Sequence, residues 1–296
     1  MTRNLPDLRP DSLLLSRGSR LLLFACTAIL GYILTGLLTT LLLYKFGAAS
    51  PRVLRIAALG QDILALIAPA VVTAAMVTRL PAQLLEIRGG VRSRMWVAAL
   101  AVMVVAAPAM NVVISFNESI EFTGALAPVM DMLRSMEDNA SAMIKVMQGT
   151  GTWADLLMNI LIIGVAAGFS EELFFRGALQ RLLSTGGMNA HAAIWVSALV
   201  FSAVHLQFFG FVPRMLLGAY FGYLLLWSRS IWLPAAAHAL NNSIYVVAQW
   251  HYMRAGTPDV TVDNVGLGDT WPAAVASAVA AAALICLARK FRRESL

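Results

Sequence analysis

Residues 153–183 read WADLLMNILIIGVAAGFSEELFFRGALQRLL. The stretch is almost continuously apolar for the length a helix needs to cross a bilayer, and it then sets Glu171 beside Glu172, with Arg176 following. Ionisable groups inside such a run cost about 2.5–3.5 kcal/mol each on insertion, so their default reading is functional. On a helix, adjacent side chains point about 100° apart, so the two carboxylates serve different faces. Glu172 precedes Arg176 by four residues, the favoured order for a helical ion pair. It also continues the line of Gly164 and Gly168, where small residues let a second helix approach closely. Glu172 therefore reads as the structural member and Glu171 as the carboxylate free to handle a proton.

Outward from this stretch the same character persists. Of 296 residues, 59% are hydrophobic and 13% charged, and the mean hydropathy is +0.74, about half the usual charged fraction of a soluble domain. A soluble enzyme is excluded. The expected fold is all-α, a polytopic membrane bundle of about eight helices: Leu21 to Tyr44, Ile56 to Val77, Met95 to Phe116, Trp153 to Leu183, Asn189 to Leu206, Val212 to Trp227, Ile231 to Trp250 and Trp271 to Leu287. These divide into a basic tail (1–20), N-terminal helices (21–152), a polar-residue-bearing core (153–250), and an acidic loop, last span and basic tail (251–296). The net charge of +6 would suggest nucleic acid in a soluble chain; here it follows the positive-inside pattern. Fifteen of the 22 Lys and Arg fall on alternate connections, around Arg3 to Arg20, Arg79 to Arg94, Arg176 and Arg181, Arg229, and Arg289 to Arg293, whereas 117–152 and 251–270 are acidic. Both termini are thereby expected in the cytoplasm, with no nucleic-acid partner.

The 117–152 connection holds Met130, Met132, Met136, Met143 and Met147 among charges, with Pro128 near a helix start. It reads as an amphipathic surface helix, packing at the interface in preference to gating a substrate. Cys26 and Cys286 lie far apart in apolar runs and read as small hydrophobes.

Two later spans repeat the pattern of the first. Phe201 and His205 are four apart, as are His238 and Asn242, so each pair shares one helix face. A carboxylate, two imidazoles and an amide supply an acid/base pair and an oxyanion-binding pair, the needs of amide hydrolysis.

Glu-Glu-x-x-x-Arg at 171–176, Phe-x-x-x-His at 201–205 and His-x-x-x-Asn at 238–242, in this order on successive apolar helices, resemble the CPBP family of CAAX proteases and bacteriocin-processing (Abi) enzymes. The resemblance covers about Trp153 to Trp250. It implies an eight-helix intramembrane endopeptidase similar to the type II CAAX prenyl endopeptidase. Glu171 with His205 would activate water, His238 with Asn242 would form the oxyanion hole, and Glu172, Arg176 and Phe201 would support the site. A metal-free site is expected, since no His-Glu-x-x-His signature is present; the alternative is zinc on Glu171, His205 and His238. The implied substrate is a membrane-embedded or lipid-associated peptide at the lipid bilayer, and the short loops point to a bacterial inner membrane. A non-catalytic or bacteriocin-immunity protein of the same fold, and a proton-linked transporter, are the competing readings.

One arithmetic conflict stands against this site. Counted from Trp153, Glu171 falls about 27 Å along its helix and near the inner boundary, whereas His205 falls about 24 Å from that boundary. Ser170 invites a serine-protease reading, but the paired carboxylates would then have no role. Gly266-Leu-Gly268-Asp269 reads as a turn, Asp62 as an interhelical hydrogen-bonding residue or a proton-linked one, and His191 and His251 as interfacial.

Overall fold

The computed structural model describes residues 14–47, 50–256 and 264–293, without the side chains of 292 and 293. Arg3, Arg9, Asp259 and Asp263, used above for orientation, lie outside these residues. The described chain is all-helical. Helix α1 spans Arg17–Phe46, started by Ser16, whose hydroxyl accepts the Ser19 amide, and ended at Gly47 with φ +80°. Helix α2 runs Pro51–Val77 through a π-helical stretch at Asp62–Ile67. Helices α3 (Ser93–Val105) and α4 (Ala107–Glu118) meet at a 48° bend. Pro108 at the start of α4 has no N–H to give to the preceding turn, which accounts for the kink. Helix α5 is Ala127–Gln148, the expected amphipathic helix. Helix α6, Trp153–Thr185, contains the decisive stretch. It opens with a reciprocal cap between Thr152 and Asp155 and is π-wound at Ile160–Ala166 and Leu173–Gln180. Helices α7 (Ala190–Ala203), α8 (Phe211–Ser228), α9 (Trp232–Ala255) and α10 (Trp271–Arg293) complete the bundle.

Among the described residues, five helices are long and apolar enough to cross a membrane, and the bent α3–α4 pair makes a sixth. Two of the eight expected spans fall short. Helix α7 has 14 residues, about 21 Å of rise, and α9 is long enough but is interrupted by His238, Asn241 and Asn242. Helix α9 presents His238 and Asn242, and the turn that follows α7 presents His205. Outward faces carry large apolar side chains, as Leu22, Ile29, Tyr32 and Leu37 do on α1, the surface expected of a chain solvated by lipid.

The inner packing centres on α6. Its Leu173, Phe174 and Phe175 join Phe24 of α1 and Phe201 of α7 in one buried cluster. On the opposite flank, α9 lies against the Gly164–Gly168 line. A Cβ on Gly168 would come within 2.9 Å of the Ala239 amide nitrogen, and one on Gly164 would strike the Ser243 hydroxyl. The first obstacle is backbone and the second a side-chain tip that can rotate away. Gly168→Val is therefore expected to lower bundle stability by about 1–3 kcal/mol through overpacking, while Gly164→Ala is tolerated, as read from unfolding midpoints in detergent.

Helix α5 crosses the mouth of the interior and is tied at its C-terminal end. Buried Arg55 of α2 donates to the Gln148 carbonyl (3.3 Å), to Asn159 Oδ1 (3.1 Å) and to Asp155 Oδ1 (2.8 Å), and Asn159 Nδ2 donates to the same Gln148 carbonyl. On the other side of the molecule, the 78–92 connection is held by buried Glu86, which pairs with Arg181 at 3.2 Å and Arg229 at 3.6 Å. Burial pushes the Glu86 carboxyl above its usual range, and the two arginines oppose that shift.

Candidate active site

A cavity of about 1170 Å³ is walled by α1, α2 and α4 through α9. Glu171, His205, His238 and Asn242 all line it, so the structure gathers three separate helix segments into one site. The depth conflict disappears because α6 is overlong. From the tight connection between α6 and α7, Glu171 lies 14 residues back from Thr185 and His205 lies 15 residues on from Ala190. Both arms therefore rise about 21–22 Å to the same level. Measuring from Trp153 assumed that α6 fits the bilayer end to end.

Below the cavity floor sits a buried charge pair. Arg176 Nη1 donates to Glu172 Oε1 at 2.9 Å, both side chains being fully buried, and Nη2 donates to the Gly218 carbonyl at 2.9 Å. The guanidinium lies 4.4 Å from the Phe201 ring centroid, with the Phe175 and Phe221 rings also around it. Gly218 is a packing requirement here, because a Cβ would fall 2.9 Å from Arg176 Nη2 and 3.0 Å from Phe201.

The i,i+4 grouping of sequence pairs His238 with Asn242, but the strongest contacts of His238 run across helices. Its Nδ1 lies 2.8 Å from Glu172 Oε1, and its Nε2 faces Glu171 Oε2 at 3.6 Å. The ring stacks on Phe221 at 4.8 Å, with the edge of Phe201 close by. A carboxylate can only accept, so Nδ1 carries the proton given to Glu172 and the ring is fixed with Nε2 toward Glu171. Glu172 thus has a task beyond pairing with Arg176: it orients His238.

His205 is held in the same way by backbone. Its Nδ1 lies 2.7 Å from the Phe201 carbonyl, which again assigns the proton to Nδ1 and leaves Nε2 as the acceptor of the neutral ring. Asn242 Nδ2 donates to the Ile163 carbonyl at 3.1 Å and retains a second N–H.

The three residues of the alternative zinc set all line the cavity. Among the described residues, no three His, Cys, Asp or Glu side chains are grouped to hold a metal ion. His238 has Nδ1 engaged by Glu172, and the Nδ1 of His205 is turned to backbone. Each ring therefore has only Nε2 left to offer a ligand.

The competing motifs also resolve. Ser170 is fully buried and donates to Asp62 Oδ1 at 2.8 Å, a bond that commits its hydroxyl. Asp62 is the interhelical hydrogen-bonding residue and also lines the cavity. Gly266 to Asp269 form a turn closed by Thr270. His191 bonds Tyr223 at 2.9 Å at the exposed start of α7, and His251 is exposed on α9.

Sequence reasoning passed over Asn117, Glu137, Gln207 and Arg214. Asn117, buried at the end of α4, donates to the Phe208 carbonyl at 2.8 Å and accepts the Val212 amide at 2.7 Å. Glu137, Gln207 and Arg214 line the cavity in a hydrogen-bonded row. Each is a single polar residue with no repeating partner, so periodicity carries no signal for it.

Residues 153–244 match the family model described as "Type II CAAX prenyl endopeptidase Rce1-like". The matched segment contains all four cavity-lining site residues as well as the Glu172–Arg176 pair. No curated protein matches the chain. No solved structure matches it either.

Proposed function

Residues 153–244 carry a domain of the type II CAAX prenyl endopeptidase family, and from that premise we propose that the chain is an intramembrane endopeptidase acting on a membrane-embedded or lipid-associated peptide. The observation that carries this reading is the Glu172–His238–Glu171 row, in which a buried carboxylate fixes an imidazole whose free nitrogen faces a second carboxylate open to the cavity. In the proposed reaction a water between Glu171 and His205 gives up a proton to this pair as its oxygen attacks the scissile carbonyl. The carbonyl π electrons move to oxygen, and the oxyanion is met by the second N–H of Asn242 and by His238 in the imidazolium form, which would hold one N–H on Glu172 and turn the other to the oxyanion. Collapse breaks the C–N bond, and the proton held by the Glu171/His205 pair passes to the leaving amine.

In this reading α7, short as it is, and α9 count as the two further spans, their polar faces turned to the cavity, which gives the eight-span arrangement with both termini in the cytoplasm. The cavity exceeds what a drug-sized ligand needs and suits an extended peptide with an apolar anchor.

The test uses full-length protein in proteoliposomes with a library of lipid-anchored and apolar peptides, cleavage being read by mass spectrometry. Wild type is expected to cleave at defined bonds and Glu171→Ala to be inactive at equal folded yield. Equal cleavage by the two proteins would refute the assignment.

A further inference from the structure

His205 does not sit within α7. The helix ends at Ala203, and the imidazole is carried by the turn that follows, with Leu206 in the left-handed region at φ +55°. A residue so placed takes its position from whatever holds the turn. Gln207, two residues on, is held from both sides. Its Nε2 donates to Glu137 Oε1 of α5 at 3.1 Å. Its Oε1 accepts from Arg214 Nη2 of α8 at 2.9 Å, and its carbonyl lies 3.4 Å from Arg214 Nη1.

We propose that Gln207, latched between Glu137 and Arg214, is a positioning residue for His205, so that the docking of α5 over the cavity sets the placement of the imidazole. The assignment of His205 as a base rests on the endopeptidase reading; the latch itself does not. Three features of the site support it. All three latch residues line the same cavity as Glu171 and His205. Burial holds the Glu137 carboxyl above its usual range, opposed by Arg214, the Phe209 amide and Gln207; docking thus carries a desolvation cost that these partners offset. Finally, α5 is held independently at its C-terminal end by Arg55 on the Gln148 carbonyl, so the latch at mid-helix can loosen while that end stays in place.

The test reads the turn directly and needs no substrate. Amide hydrogen exchange over residues 203–210 and the ¹⁵N ring signals of His205 are measured in full-length protein, with His191 and His251 as internal references. Glu137→Ala and Gln207→Ala are each expected to speed exchange in the turn about tenfold, the size of effect expected for one or two lost hydrogen bonds, and to move the His205 signals alone. Glu137→Gln keeps an acceptor for Gln207 Nε2 and should restore wild-type behaviour. Unchanged exchange and unchanged His205 signals in both alanine variants would overturn the proposal. So would equal loosening by Met132→Ala, an exposed residue of the same helix. Because neither readout depends on cleavage, a protein that proves to be no peptidase still decides the latch.

Discussion

Glu171→Gln should leave the fold intact and lower kcat by about 10²–10⁴-fold, the range for removal of a general base, with KM nearly unchanged. The substitution keeps the size of the side chain and leaves a polar group opposite His238 Nε2, now 3.6 Å from the carboxylate. What it removes is the capacity to take a proton from water. Two neighbours separate this effect from general damage. Ser170→Ala deletes a hydroxyl committed to Asp62 and should change kcat little. Glu172→Leu removes the buried acceptor that fixes the His238 ring, so it should lose both activity and stability. The comparison is made on whichever peptide wild type cleaves, with folded protein quantified by size-exclusion chromatography. A Glu171→Gln protein with wild-type kcat would remove Glu171 from the mechanism.

What was legible in the sequence was whatever a single helix records along its own length. The Gly164–Gly168–Glu172 line foretold a close helix neighbour, and α9 supplies it through Ala239 and Ser243. The Glu172–Arg176 spacing foretold their ion pair. Proline marked the start of α5. What stayed hidden depends on how helices meet. The link from Glu172 to His238 joins α6 to α9 across 66 residues, and nothing in the periodicity of either helix announces it. The span count fell short because length and apolarity are criteria for contact with lipid, and α7 and α9 spend part of their surface on a polar cavity. Depth was misjudged for a related reason: a helix of 33 residues is not confined to the hydrocarbon thickness, so its first residue is a poor origin for distance. Asn117, Gln207 and Arg55 act at helix ends and turns, where one amide or guanidinium satisfies backbone groups that no pattern marks.

The buried pair beneath the site has the largest structural consequence. Arg176→Ala should destabilise the bundle by about 3–5 kcal/mol, the cost of leaving a buried charge without its partner. Glu172 would remain fully buried with Oε2 already unpartnered, the Gly218 carbonyl would lose its donor, and the space enclosed by Phe175, Phe201 and Phe221 would be left unfilled. Arg176→Lys is expected to fall between wild type and alanine, because one ammonium cannot reproduce the two-pronged contact with Glu172 and Gly218 or the flat packing against Phe201. A double variant, Glu172→Leu with Arg176→Met, removes both charges and refills the volume, and should recover most of the lost stability. It should not recover cleavage, since His238 has then lost the carboxylate that holds its Nδ1 proton. Unfolding midpoints in mixed micelles give the first quantity and peptide cleavage the second. Stability and cleavage returning together in the double variant would show that Glu172 only neutralises Arg176; stability returning alone assigns to the same carboxylate both the pairing that holds α6 together and the orientation of His238.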